Sequence, residues 1–361
     1  MEFEGAGQLR LRLVCSLLSG RPIRVGRIRE GAERPGLHDF EASLLRLVDK
    51  LTNGTAVEIN ETGTTLRFRP GVLQGGQGVV HDCGCSRGIG WFLEPLLVLA
   101  LFAKRPVQVT LRGVTNDDLD PTVDCFKAAT LPLLEHFGLE GGWDLRVVKR
   151  GFKPEGGGEV VFKCPVAKRL QAARIVDEGI VRRIRGTAYS CLTAPQNTNR
   201  MVDGARGVFN QLLSDVYIFT DHMSGPKAGN SPGYGVSLVA ETTTGLRFSV
   251  DRATGPATSV DKPTVPEDLG EEAAKYLLEE ISKGGIVDSH HQGLLLLLCA
   301  LGEDTLHQVR LGPLTPYAIH VLRHIKDFFG TVFNLAPEQQ SKTIFASCVG
   351  SNVRNLAKGV R

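Results

Sequence analysis

Hydrophobic and polar positions along the chain switch repeatedly between a period of two and a period near 3.6, the spacings of half-buried strands and helices. Residues 8–14 alternate leucine with basic residues. That pattern predicts a strand with Leu9, Leu11 and Leu13 inward, and Arg10 and Arg12 on the opposite face as a candidate anion surface. In residues 40–51 the apolar positions Leu44, Leu47, Val48 and Leu51 recur at helical spacing, with Gly54 beyond as a terminator. Residues 56–60 and 64–69 read as strands joined by Glu61-Thr62-Gly63. A helix over 92–102, a strand over 107–112, a helix over 123–137 and a strand over 145–149 follow. Strands and helices alternate, so the fold class expected is α/β (α+β) in layered units.

From residue 184 to 283 the chain becomes rich in glycine, proline, serine and threonine turns, around one helix near 199–213 and another near 271–283. This stretch is expected to form a smaller inserted domain. Residues 293–301 and 317–329 restore the earlier helical style, so 1–183 and 284–361 are expected to make one large domain. In the last helix Ile319, Leu322, Ile325 and Phe329 form the expected inward stripe, leaving His320, Arg323, His324 and Asp327 on the other face.

Composition narrows the class. A length of 361 residues suits two or three domain-sized units, and a net charge of +3 is too small to coat the protein for non-specific nucleic-acid binding. Any RNA contact is therefore expected from local patches. The apolar runs at 96–102 and 294–301 fall far short of the ~20 residues that span a bilayer, so no membrane partner is expected. The first residues carry acid where a secretory leader carries base, and the eight scattered cysteines then read as reduced thiols of an intracellular protein. His81, Cys83 and Cys85 lie close together without a second ligand pair at zinc-site spacing, so neither a metal nor another cofactor is expected.

Three groups of residues carry candidate chemistry. In Arg150-Gly151-Phe152-Lys153-Pro154-Glu155-Gly156-Gly157-Gly158, the consecutive glycines let backbone amides approach a phosphate, and Lys149, Arg150 and Lys153 add positive charge. Arg112 lies at the end of the strand before them. A glycine-rich hairpin turn explains the same string without a ligand. Arg182, Arg183 and Arg185 form a second group at the entry to the inserted segment, suited to RNA or an acidic partner segment, or to simple solvation. His320, Arg323 and His324 form the third. Two imidazoles and a guanidinium on one helix face suit RNA cleavage through the 2′-hydroxyl, but such a polar face is expected on any half-buried helix, and a solvated face is the favoured reading.

The glycine string resembles the signature loop of the RNA 3′-terminal phosphate cyclase family. Glu4-Gly5-Ala6-Gly7-Gln8-Leu9-Arg10, Ser19-Gly20-Arg21-Pro22-Ile23, Phe68-Arg69-Pro70-Gly71 and Leu111-Arg112-Gly113-Val114-Thr115 follow in the family order. The resemblance implies a large domain of three repeats, each a small sheet with two helices, with a smaller domain inserted before the third. It also implies a nucleotidyl-accepting histidine near the carboxy terminus, an imidazole being nucleophilic at neutral pH. The matching stretch here reads Gly312-Pro313-Leu314-Thr315-Pro316-Tyr317, without a histidine in register. His38-Asp39-Phe40-Glu41 places acids where the enzymes tend to have base.

Asp39-Phe40-Glu41-Ala42-Ser43, Thr62-Gly63-Thr64-Thr65, Val114-Thr115-Asn116-Asp117 and Gly229-Asn230-Ser231-Pro232-Gly233-Tyr234-Gly235 resemble the cyclase-like branch of eukaryotic ribosome assembly. That branch implies a nucleolar factor of the small-subunit processome, supporting early pre-rRNA cleavage without cyclase activity. Its implied partners are a ribosome-assembly GTPase, small nucleolar ribonucleoprotein components and pre-rRNA. The chain lacks G-x-x-x-x-G-K-[ST] and is not expected to be the GTPase. An endoribonuclease and an active cyclase stand as the alternative readings.

Overall fold

The structure is a computed structural model that describes residues 1–255 and 264–355. The first repeat runs β1 (Glu2–Glu4), α1 (Leu9–Ser19), β2 (Ile23–Gly26), α2 (Asp39–Leu51), β3 (Thr52–Asn53), β4 (Ala56–Ile59), β5 (Leu66–Arg69) and β6 (Val72–Leu73). Its sheet has the order β1-β2-β5-β4, with β1 and β2 parallel and the rest antiparallel, while β3 and β6 form a separate short ladder. The second repeat copies this plan with β7 (Gly76–Asp82), α3 (Ile89–Leu101) and β8 (Val107–Gly113). A helical stretch follows, composed of α4 (Val123–Cys125), a π-turn over Phe126–Thr130, α5 (Leu131–Leu133) and a 3₁₀ turn, before β9 (Asp144–Lys149) and β10 (Gly158–Cys164). The order is β7-β8-β10-β9.

After β11 (Arg174–Ile175) the chain leaves the third repeat. It builds β12 (Val181–Cys191), α6 (Gln196–Phe209), β13 (Val216–Met223), β14 (Gly233–Thr242), β15 (Arg247–Ala253) and α7 (Pro266–Ser282). These strands make their own sheet, β13-β12-β14-β15, with α6 and α7 over one face. The third repeat then finishes with α8 (Gln292–Leu301), β16 (Leu306–Leu311), α9 (Pro316–Phe329), β17 (Asn334–Glu338) and β18 (Thr343–Val349), in the order β11-β16-β18-β17. The α/β repeats implied by the family resemblance are present.

The helices α3 and α8 are apolar on nearly every side and bury nearly every side chain, as an all-round hydrophobic helix must. They form the centre of a core shared by the three repeats, whereas Ile184, Met201, Phe209, Leu238 and Leu277 belong to a separate core under the β12–β15 sheet.

Two sequence expectations are corrected. Residues 9–14 lie in helix α1, with Gln8 at its N-cap, and not in a strand. The period of two arose because this helix is buried on several sides, with Leu9, Leu11, Leu13, Val14, Cys15 and Leu17 all in the core, and the run continues unbroken to Gly20, which ends it at φ 70°. In α9 the buried stripe is Ala318, Val321, His324, Ile325 and Phe328, while Ile319 is 39% exposed. The stripe is rotated by about one residue from the expected one, because a polar imidazole with bonding partners replaces an aliphatic side chain in the core.

Candidate functional site

A cavity of about 540 Å³ lies where the three repeats meet. The turn after β1 and the start of α1 supply Ala6, Gln8 and Arg10, and the approach to α2 supplies Arg29, Phe40 and Glu41. The second repeat adds Arg87, Trp91, Glu94 and Asp120, and the third adds His290, Thr315, Pro316 and Tyr317. Each guanidinium on the wall already has a carboxylate. Arg10 meets Glu94 at 2.7 Å and donates to the Trp91 carbonyl at 2.9 Å. Arg29 forms a two-pronged pair with Glu41, both N–H···O distances 2.8 Å. Arg87 grips Asp120, which also accepts from the Gly88 amide at 2.8 Å. Three cations and three anions leave the wall close to neutral.

Aromatic rings hold these pairs in place. Arg10 lies over Trp91 at 5.3 Å, Arg87 lies over Phe40 at 5.4 Å, and Phe40 meets Trp91 edge to face at 5.1 Å. The Glu41 carboxylate also accepts from the His38 amide at 2.8 Å, so it caps α2 as well as pairing with Arg29. At the wall formed by 312–316, Thr315 caps α9 by accepting from the Ala318 amide at 3.1 Å, and its own amide donates to Gln292 at 2.9 Å. His290 is the one imidazole among the described lining residues. Tyr317 donates to Glu94 at 3.1 Å, and burial followed by the Glu94 charge raises its phenol pKa.

A second assembly joins three of the sequence motifs. Arg150 is only 2% exposed on its side chain and pairs with Asp124 at 2.7 Å and with Asp221, on β13, at 2.7 Å. Burial opposes charge at Asp124, but Arg150 outweighs it and holds that carboxyl below its ordinary pKa. The Gly151 amide donates to the Thr115 hydroxyl at 3.0 Å, and the Gly156 amide to the Phe152 carbonyl at 2.8 Å. Asn230 and Gly229 donate to the Gly156 and Arg150 carbonyls at 3.0 and 2.6 Å. Gly157 has φ 77°, and a Cβ there would stand 2.8 Å from the Asn230 side chain; one on Gly158 would stand 2.6 Å from Thr115. The glycines therefore permit close packing between 150–158, 115–117 and 229–231, and the loop's cradle is filled by Asn230. Lys153 pairs with Asp117 at 2.9 Å.

Residues 1–335 match the family model described as RNA 3′-terminal phosphate cyclase. The chain belongs to that family. It is 50% identical over 368 residues to the "RNA 3′-terminal phosphate cyclase-like protein" of Mus musculus, covering 100% of this chain and 98% of the relative. It is 47% identical over 367 residues to a "Probable RNA 3′-terminal phosphate cyclase-like protein" of Dictyostelium discoideum, covering 99% of each. It is also 42% identical over 363 residues to the "rRNA processing protein rcl1" of Schizosaccharomyces pombe, covering 99% and 98%.

The remaining sequence-selected residues of this cyclase-family chain are scattered. Arg112 and Lys149 share one row of the outer sheet face, separated by Glu159, with Arg112 bonded to that carboxylate at 2.9 Å. Arg12 is buried and donates to His324 Nε2 at 3.1 Å, so it is not part of an exposed anion surface. His324 in turn bonds the His320 carbonyl through Nδ1 at 2.8 Å and stacks on Phe3, and burial lowers its pKa. His320, Arg323 and His324 therefore do not share one exposed face, because His324 turns inward. Arg183 and Arg185 pair with Glu241 and Asp215 at 2.5 and 2.8 Å, and Arg182 lies 4.0 Å from Glu241.

Among the described residues no cluster of three metal-ligating side chains forms, and no helix is long and apolar enough to cross a membrane. The eight cysteines are unpaired. His81 bonds Ser43 at 2.9 Å, and burial pushes its pKa down to about 4. Sequence reasoning missed a buried chain in which Cys125 donates to Ser249 at 3.1 Å, Ser249 to Asp288 at 2.8 Å, and Asp288 meets His291 at 2.7 Å. The other His291 nitrogen meets Thr130 at 2.8 Å. Thr130 is 3% exposed, so this hydroxyl–imidazole–carboxylate order ties the inserted sheet to the repeats and offers no open nucleophile.

Proposed function

We propose that this chain is a ribosome-assembly factor that supports pre-rRNA processing in the nucleolus, within the small-subunit processome, without forming a covalent nucleotide intermediate. The observation carrying this reading is the state of the central cavity. Every guanidinium on its wall is matched to a carboxylate, and the stretch where the family's nucleophilic imidazole is implied is Leu314-Thr315-Pro316, with Thr315 committed to capping α9. A terminal phosphate entering there meets Glu41, Glu94 and Asp120 as well as their partners, and freeing Arg29 or Arg87 leaves the buried Glu41 or Asp120 carboxylate unpaired, at a cost of about 3–5 kcal/mol.

The S. pombe relative's name, "rRNA processing protein rcl1", supports the process, and the extent of identity supports carrying it to this chain. RNA contacts then fall to exposed cations such as Arg146 and Lys149 on the outer sheet and Arg323 and Lys326 on α9. Protein partners, including the GTPase of the assembly, meet other surfaces, and the 184–283 segment acts as the inserted domain that offers them. Depletion of this chain from cells, followed by hybridisation to pre-rRNA, tests the proposal. Uncleaved small-subunit precursor is expected to accumulate; an unaltered precursor pattern contradicts the reading.

A further inference from the structure

Strand β13 forms one edge of the inserted sheet and pairs with β12 alone. At its two ends the Asp215 and Met223 carbonyls accept from the Ile184 and Leu192 amides, at 2.9 and 3.3 Å. In a strand, alternate peptide groups point to opposite sides. The odd-numbered residues thus face β12, and Val216, Ile218, Thr220 and His222 turn their N–H and C=O groups outward, where no strand lies among the described residues. Beside this edge Tyr217 and Phe219 are 50% and 55% exposed, packed edge to face at 4.5 Å.

Natural sheets guard such an edge with lysine, proline or a free charge. The opposite edge, β15, is tied into the chain instead, with Arg247 bonded to the Ala128 carbonyl, Asp251 to Thr122 and Arg252 to Glu272. The sequence Val-Tyr-Ile-Phe-Thr-Asp-His-Met of β13 has no lysine or proline, and its one carboxylate, Asp221, is held by Arg150.

We propose that the β13 edge receives an extended segment of another protein as a fifth strand. A large apolar side chain of that segment lies against Tyr217 and Phe219, and its carboxylates lie beside Arg182, Arg183 and Arg185. Main-chain pairing supplies affinity and alternate side chains supply specificity in this mode of recognition. A recess of about 140 Å³ next to Phe219, walled also by Thr187, Val239 and Arg247, gives one side chain a place to anchor. The charge is complementary, since Arg182, Arg183, Arg185 and Arg247 outnumber Glu241 and Asp215 there, and the third nearby carboxylate, Asp124, is held by Arg150.

RNA fits less well, because its backbone phosphates accept but do not donate and so cannot pair with the outward carbonyls as a peptide strand's amides do. Tyr217 and Phe219, 78° apart, also offer no flat platform for successive bases. A second copy paired antiparallel brings the His222–Met223 end to the arginines, and that end has no free carboxylate. The proposal rests on the reading that this chain works inside an assembly. The depletion assay tests that reading separately, so failure here leaves it standing.

The test places a photo-crosslinking benzoylphenylalanine at position 217 of the full chain in cells and identifies the adduct by mass spectrometry. A synthetic peptide copying the crosslinked segment is then added to the purified chain. The peptide is expected to bind, to slow amide exchange at Ile218 and Thr220, and to bind at least about tenfold more weakly to Phe219→Lys. Ile59→Lys, on the edge of a different sheet, is expected to leave binding unchanged. Thermal midpoints confirm that both variants fold, as half-exposed positions should allow. An adduct to RNA or to a second copy, no adduct, or binding without protection of the outward amides overturns the proposal.

Discussion

Replacing Arg150 by methionine separates a structural role from a phosphate-binding one. The side chain donates to Asp221 at 2.8 Å through Nε, to Asn116 at 3.1 Å, and to both Asp124 oxygens at 2.7 and 2.8 Å, while its guanidinium lies over Tyr189 at 4.7 Å. Methionine leaves the Asp124 carboxylate, 14% exposed, without its cation. Removing one partner of a buried pair costs about 3–5 kcal/mol; Asp221, at 35% exposure, is partly rescued by water and adds little. The expected loss is therefore about 3 kcal/mol, read as a fall in unfolding free energy by urea denaturation at pH 7.

The pH dependence has a definite sign. With Arg150 present the Asp124 pKa is depressed, so its stabilisation is present above the unfolded value of 3.8 and is lost as pH falls through the lower folded value. In Arg150→Met, burial is opposed only by the hydrogen bonds from Asn116 and the backbone, so the carboxyl takes up a proton at higher pH and the deficit should shrink as the solution is acidified toward pH 4. The salt dependence of RNA binding should not change. A deficit under about 1 kcal/mol, or a salt slope lower by about one contact, refutes the reasoning.

Other outcomes follow from the same contacts. Burial lowers the His291 pKa but the Asp288 charge outweighs it, leaving that pKa raised. Its stabilisation is thus full below the unfolded value of 6.5 and falls away as pH rises through the folded one, a slope that Asp288→Asn should abolish in urea midpoints measured across that range. Gly157→Ala should lose about 1–3 kcal/mol of stability from its positive φ and from contact with Asn230, and Asn230→Ala in the same chain should restore part of the loss in the same denaturation assay.

Much of the fold was legible because its signals are local. The helical spacing of Leu44, Leu47, Val48 and Leu51 and the alternation through Val107, Val109 and Leu111 report which face of one element is buried. Helix α1 was not legible, since a segment buried on several sides by α2, α3 and α9 has no single stripe to read. His324 escaped for a related reason: an imidazole at a core position is recognisable only once Arg12, 312 residues away, is seen to supply its partner. Charges were the least legible part. Arg10 and Arg150 read as free cations in the sequence, and only the tertiary arrangement brings Glu94 and Asp124 to them, as it brings Glu41 and Asp120 to Arg29 and Arg87. The glycines of 156–158 were visible as a motif, but what they approach, Thr115 and Asn230, lies on distant segments.

Incubation of the purified chain with ATP labelled in its α-phosphate, followed by denaturing electrophoresis and peptide mapping, examines the reading of the central cavity most directly. No protein-bound label is expected with or without RNA ending in a 3′-phosphate, and such RNA should be recovered uncyclised. An acid-labile nucleotide mapped to His290, His320 or any other histidine, together with cyclic phosphate on the RNA, would contradict the account.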